Sequence, residues 1–145
     1  MKRFENSVIF DGQDYLIQSR DLKSICEGTE TPFYIYDVNY ILKKYDMLKE
    51  YFSYDRLKTF YAVKANYNPH ILRIMKDYGF YLDTVSPTEV ILAIKLGFDK
   101  DRILFTANNM TDKEMQIVME QGVLFNIDSL SRLETFAKSY PGASV

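Results

Sequence analysis

The chain has 145 residues, 47% of them hydrophobic and 15% aromatic, the composition of one modest globular domain with a real core. A net charge of −2 and a sequence pI of about 5.4, with no basic block, argue against nucleic acid or a membrane surface as partner. No apolar run approaches the ~20 residues that cross a bilayer. The opening "MKRFENSVIFDGQ" lacks the apolar stretch of a signal peptide, and the single cysteine, Cys26, excludes an internal disulfide, as expected of a cytoplasmic protein.

Residues Ser7 to Gln18, "SVIFDGQDYLIQ", read as a β-hairpin, with two apolar runs flanking the turn signal Asp11-Gly12. A short helix is expected from Asp21 to Glu27, stopped by Gly28. "FYIYD" (33–37) then reads as a strand whose Asp37 caps a helix with Val38, Ile41, Leu42, Tyr45, Leu48 and Phe52 on its apolar side. "LKTFYAVKA" (57–65) is the second strand of this rhythm. Asn68 caps and Pro69 opens the next helix, whose apolar stripe Ile71, Leu72, Met75 and Tyr78 ends at Gly79.

"FYLDTV" (80–85) is the third strand, followed by Ser86-Pro87-Thr88-Glu89, which has the form of a capping box, and a helix to Gly97. "RILFTA" (102–107) is the fourth. Thr111 to Glu114 makes a second capping box on a helix that runs to Gly122. "VLFNI" (123–127) is the fifth strand, and Asp128 or Ser129 starts a helix ending near Tyr140-Pro141-Gly142. The final "ASV" looks like the start of another strand. About five βα units alternate, so the sheet is expected to be parallel with helical crossovers. The pattern fits either an open doubly wound sheet or part of a (β/α)₈ barrel. The length favours the partial barrel, since a whole one takes ~250 residues.

Lys64 stands out. It is a charged residue near the carboxyl end of an apolar strand, the end at which barrel active sites are built. Alternation puts Lys58, Phe60, Ala62 and Lys64 on one face. A lysine taken out of water there keeps a larger neutral fraction, and only a neutral amine attacks a carbonyl, the chemistry of a Schiff-base lysine. A strand-end lysine reaching back to solvent explains the same spacing. His70 is the only histidine, which leaves no Cys/His set for zinc. It falls in the first turn of a helix, where a surface role suits it.

Five ordered segments carry a resemblance: "TPFYIYD" (31–37), "YAVKANYNPHIL" (61–72), "LDTVSPTEVILAIKLGF" (82–98), "RILFTANNMTDKEM" (102–115) and "FNIDSLSRLE" (125–134). From about Thr31 onward the chain resembles the fold-type III pyridoxal-phosphate decarboxylases, and within them the diaminopimelate decarboxylases. The resemblance implies an α/β fold: a partial (β/α)₈ TIM-type barrel of the alanine racemase-like kind, with about five βα units, preceded by a short N-terminal β-hairpin. Its domains would be residues 1–28, hairpin and short helix, and 29–145, the truncated cofactor-binding barrel.

The resemblance further implies pyridoxal 5'-phosphate as cofactor and an amino acid as small-molecule substrate. The reaction is removal of CO₂ from meso-2,6-diaminopimelate to give L-lysine in a homodimeric, cytoplasmic enzyme. Lys64 matches the lysine that holds the cofactor through its amine. Ala62 matches a position bordering the cofactor, and Asp83 an acidic residue close to both. Glu89 matches a second acidic residue of the catalytic network. A turn or solvation role for Asp83 and a helix-capping role for Glu89 are the plain alternatives. Asn108 and Asn109 stand where the family often has Gly-Asn, with Ala107 in place of the glycine. The family's glycine-rich phosphate loop, stacking histidine and partner-subunit cysteine are expected beyond Val145, so this chain alone is expected to be inactive. The competing expectation is a non-catalytic truncated barrel fragment, or another amino-acid decarboxylase or pyridoxal-phosphate-binding protein of the same fold type.

Overall fold

A computed structural model describes residues 8–106 and 108–145. The expected features at Ser7 and Ala107 lie outside those residues. The chain divides into two compact units, residues 1–54 and 55–145.

In the first unit, β1 (Val8–Phe10) pairs antiparallel with β2 (Tyr15–Ile17), and β2 pairs in the same sense with β3 (Arg20–Asp21). The connection between β1 and β2 spans residues 11–14 and is organised by one side chain. Asp11 Oδ1 accepts from the backbone N–H groups of Gln13 and Asp14, both at 2.9 Å. Gly12 supplies the φ of 107° that a side chain would resist. Helix α1 (Leu22–Cys26) is capped by Asp21, which accepts from Ser24 N–H at 2.7 Å. Helix α2 (Val38–Tyr51) is capped by Asp37, which accepts from Tyr40 N–H at 3.0 Å.

The stretch 33–37, expected as a strand, belongs to no sheet among the described residues, and Tyr34 is 88% exposed. Its aromatic and β-branched residues have strand propensity, but a strand also needs a neighbour's hydrogen-bond ladder.

The second unit contains the parallel sheet. β4 (Phe60–Ala62), β5 (Tyr81–Thr84), β6 (Ile103–Phe105) and β7 (Leu124–Phe125) lie side by side in chain order, all parallel. Each pair is linked by a helix: α3 (Pro69–Tyr78), α4 (Pro87–Lys95) and α5 (Asp112–Gln121). Helix α6 (Leu130–Ser139) follows β7. Because strand order never reverses, these four strands contain no switch point of a doubly wound sheet.

The predicted helix ends match closely because their signals are local. Asn68 Oδ1 accepts from His70 N–H at 3.0 Å, and Thr111 and Glu114 form the reciprocal box. Gly79 and Gly122 end α3 and α5 with φ of 95° and 69°, a left-handed conformation that favours glycine. The Ser86 box is only half formed. Ser86 Oγ accepts from Glu89 N–H, but the Glu89 carboxylate reaches one residue further back, to Val85 N–H at 2.7 Å. Ser129 precedes α6 without a side-chain cap bond.

The core lies on one face of the sheet. Leu82, Thr84, Ile103, Phe105 and Phe125 are buried there, with Leu72 and Met75 of α3, Val90 and Ala93 of α4, Met115 and Val118 of α5 and Phe136 of α6 also buried. Rings of Phe105, Phe125 and Phe136 follow one another at 5.2 and 5.5 Å between centroids. The opposite face carries Phe60, Ala62, Tyr81, Asp83, Leu104 and Thr106, all half-buried, with Leu124 and Asn126 exposed. Residues 143–145, expected to begin a strand, form none. Ser144 and Val145 nevertheless line a groove of about 610 Å³ with Leu104, Leu124 and Asn126, beside β7.

Candidate active site

Three of the four candidate residues stand at the carboxyl ends of β4 and β5, and the fourth opens the helix that follows β5. Register places Ala62 opposite Asp83, and Asp83 opposite Leu104. Alternation then puts Ala62, Asp83 and Leu104 on the half-exposed face, away from the core.

Lys64 is not on the strand. The sequence placed it in a strand through residue 65, facing the same way as Ala62. The structure ends β4 at Ala62 and turns residues Val63–Ala65 into a single 3₁₀ turn, closed by Asn66 N–H on the Val63 carbonyl at 3.1 Å. Val63, at 0% exposure, takes the buried position, and Lys64 is exposed rather than desolvated. Asn66 Oδ1 accepts from Asn68 N–H at 3.0 Å, and the Tyr61 hydroxyl donates to the Asn66 carbonyl at 3.4 Å. These bonds fix the segment that displays Lys64. Among the described residues its amine makes no hydrogen bond or ion pair.

Asp83 Oδ1 accepts a hydrogen bond from the Thr106 hydroxyl on the adjacent strand end. Sequence reasoning missed Thr106. The signal was present in "RILFTA", where alternation sets Thr106 on the face of Leu104, but only knowledge of the β5–β6 register puts it beside Asp83. Glu89 is half-buried, with Oε2 held by Val85 N–H, so the structure gives it a helix-start bond. Asn108 and Asn109 are exposed, Asn109 with a φ of 55°. His70 is exposed in the first turn of α3, and Cys26 lies in the first unit. No group of three metal-binding side chains occurs among the described residues, and none of the described helices is long and apolar enough to cross a membrane.

Lys64 is displayed just past the end of β4, whose half-exposed face continues from Ala62 to Asp83 and its Thr106 partner. A lysine amine is a group that can bond an aldehyde covalently. None of the six glycines stands in a Gly-x-Gly sequence, the usual backbone cradle for a phosphate.

The sequence profile described as "Pyridoxal-dependent decarboxylase, pyridoxal binding domain" matches residues 38–145. The chain is 38% identical over 140 residues to a diaminopimelate decarboxylase of Methanothermobacter thermautotrophicus, covering 95% of this chain and 33% of that protein. A second, from Archaeoglobus fulgidus, is 35% identical over 132 residues, 90% of this chain and 31% of that one. Among solved structures, a diaminopimelate decarboxylase of M. jannaschii in complex with L-lysine superposes with a TM-score of 0.82 at 26% identity, over 92% of this chain and 32% of that one. The chain thus spans about a third of the length of these relatives. With a match that begins at α2 and takes in every strand of the parallel sheet, this chain belongs to the pyridoxal-dependent decarboxylase family and carries residues of its pyridoxal binding domain.

Proposed function

We propose that this chain forms the cofactor-lysine portion of a pyridoxal-phosphate-dependent decarboxylase that converts meso-2,6-diaminopimelate to L-lysine and CO₂. The observation that carries the reading is the display of Lys64 in the turn immediately after β4, two residues past Ala62, which is itself in register with Asp83, within the stretch that matches the family. The similarity to proteins named for this substrate, and to a relative bound to L-lysine, supports the choice of substrate.

Lys64 is the residue that would hold the cofactor, through its amine. Ala62 leaves room on the half-exposed face where a larger side chain would fill it. Asp83, an acceptor when ionised, orients a proton-bearing nitrogen. Glu89 ties the end of β5 to the start of α4 and so keeps the Asp83 strand end in place. Pyridoxal phosphate, when bound, supplies an electron sink for the pair left behind by departing CO₂.

In this reading residues 29–145 belong to a partial (β/α)₈ barrel whose inner face is the half-exposed one, and residues 1–28 form a separate hairpin segment. The complete protein is a cytoplasmic homodimer. A second reading, a non-catalytic barrel portion that pairs with a complementary chain, draws on the same half-exposed face.

The test is CO₂ release from carboxyl-labelled meso-diaminopimelate, lysine and ornithine by the protein that carries this chain, with Lys64→Ala alongside. Diaminopimelate should be preferred and Lys64→Ala should abolish release. Turnover that survives Lys64→Ala contradicts the assignment, and preference for another amino acid contradicts the substrate.

A further inference from the structure

We propose that Thr106 is a positioning residue for Asp83, and that the pair presents the second carboxylate oxygen to a proton-bearing nitrogen at the cofactor site. The proposal rests on the pyridoxal-phosphate reading above.

The two residues come from neighbouring strands. Thr84 pairs with Phe105, and Thr106 N–H donates to the Thr84 carbonyl at 2.9 Å, so the ladder runs past the end of β6 and fixes the Thr106 backbone. A β-branched side chain on a fixed backbone has few rotamers, and here its hydroxyl donates to Asp83 Oδ1. Among the described residues nothing else binds that carboxylate. An ionised carboxylate accepts several hydrogen bonds, so Oδ2 is left available.

A plain structural role fits poorly. The buried threonine one residue along β5 shows what such a role looks like: Thr84, at 0% exposure, donates to the Leu104 carbonyl at 2.9 Å and satisfies the core. Thr106 and Asp83 sit on the other face, half-buried, where water could satisfy either group. A charge-assisted bond between side chains there adds orientation more than fold stability.

The experiment uses this chain with pyridoxal phosphate as probe, borohydride trapping and quantitative peptide mapping. Labelling of Lys64 is compared with that of the exposed Lys113. Thr106→Val should lower Lys64 labelling at sub-saturating probe about tenfold, the scale of a lost hydrogen bond to a charged group. Lys113 labelling and the melting temperature should hold. Thr106→Ser should restore labelling to within about twofold, since the hydroxyl returns.

In an Asp83→Ala background, Thr106→Val should change nothing further, because its effect runs through the carboxylate. Where the valine variant does not fold, Thr106→Ala makes the same comparison. Without any cofactor, the Asp83 carboxyl ¹³C resonance should move in Thr106→Val and stay in Thr106→Ser. An unmoved resonance, or selective Lys64 labelling indifferent to Thr106→Val, overturns the role of Thr106 alone. Equal labelling of Lys64 and Lys113 in the unsubstituted chain overturns the cofactor reading and the role with it.

Discussion

Arg102 joins the ends of two elements with one guanidinium. Nη2 donates to the carbonyls of Lys76 at 3.0 Å and Phe80 at 2.6 Å, and Nε donates to the latter at 3.2 Å. The Lys76 carbonyl belongs to the last turn of α3, where carbonyls lack helical partners and a cation is favoured. We expect Arg102→Ala to cost about 1.5–3 kcal/mol by urea unfolding, the range for hydrogen bonds to charged groups. Lysine, a point charge without the planar fork, should recover only part of it.

Three carboxylates are held below their usual range by the N–H groups they cap. Asp14 and Gln13 N–H do this to Asp11, Ser24 N–H to Asp21, and Thr111 N–H to Glu114. A carboxyl whose folded value lies below its unfolded one stabilises the fold above the unfolded value, and that contribution disappears as pH falls through the folded one. Stability measured by chemical unfolding should therefore be flat with respect to these groups near neutrality and fall below about pH 4. Asp11→Asn should flatten part of that fall. The Thr111–Glu114 box was legible as a cap, and Asp11 and Asp21 as a turn and a helix start, because donor and acceptor are two or three residues apart. Arg102 and Thr106 were not, because their partners lie 22 to 26 residues away and depend on strand register.

At the level of elements, helices were easier to read than strands. The capping box predicted at Thr111 is complete, with Glu114 N–H on Thr111 Oγ1 at 3.2 Å and Thr111 N–H on Glu114 Oε2 at 2.8 Å. Thr111→Ala should cost about 1 kcal/mol, visible as a lowered melting temperature. The strand predicted over 57–65 shrinks to Phe60–Ala62, because a strand lasts only as long as its neighbour pairs with it, and β5 offers three partners. That shortening moved Lys64 from a buried face to an exposed turn. The motif singles out Lys64, but its exposed display follows only from where the ladder stops.

Across the whole molecule, the parallel sheet is covered on one face and half-exposed on the other, whereas parallel sheets are usually covered on both. On the covered face, Phe105 at 0% exposure packs its ring against Phe125 of β7, which in turn meets Phe136 of α6, and Phe105→Ala should cost about 3–5 kcal/mol of unfolding free energy. On the other, Phe60, Tyr81, Leu104 and Leu124 offer apolar surface next to the polar Asp83–Thr106 end. The chain by itself should associate with concentration, as light scattering would register, because exposed apolar sheet favours such contacts.

Lys64 is the amine proposed to hold the cofactor. The most direct test of that role is addition of pyridoxal phosphate to this chain, borohydride reduction and mass mapping of every modified lysine. Lys64 should carry the reduced pyridoxyl group first and most completely, and Lys64→Arg should remove that label and leave the background on other lysines. Label spread over surface lysines with none on Lys64 would contradict it.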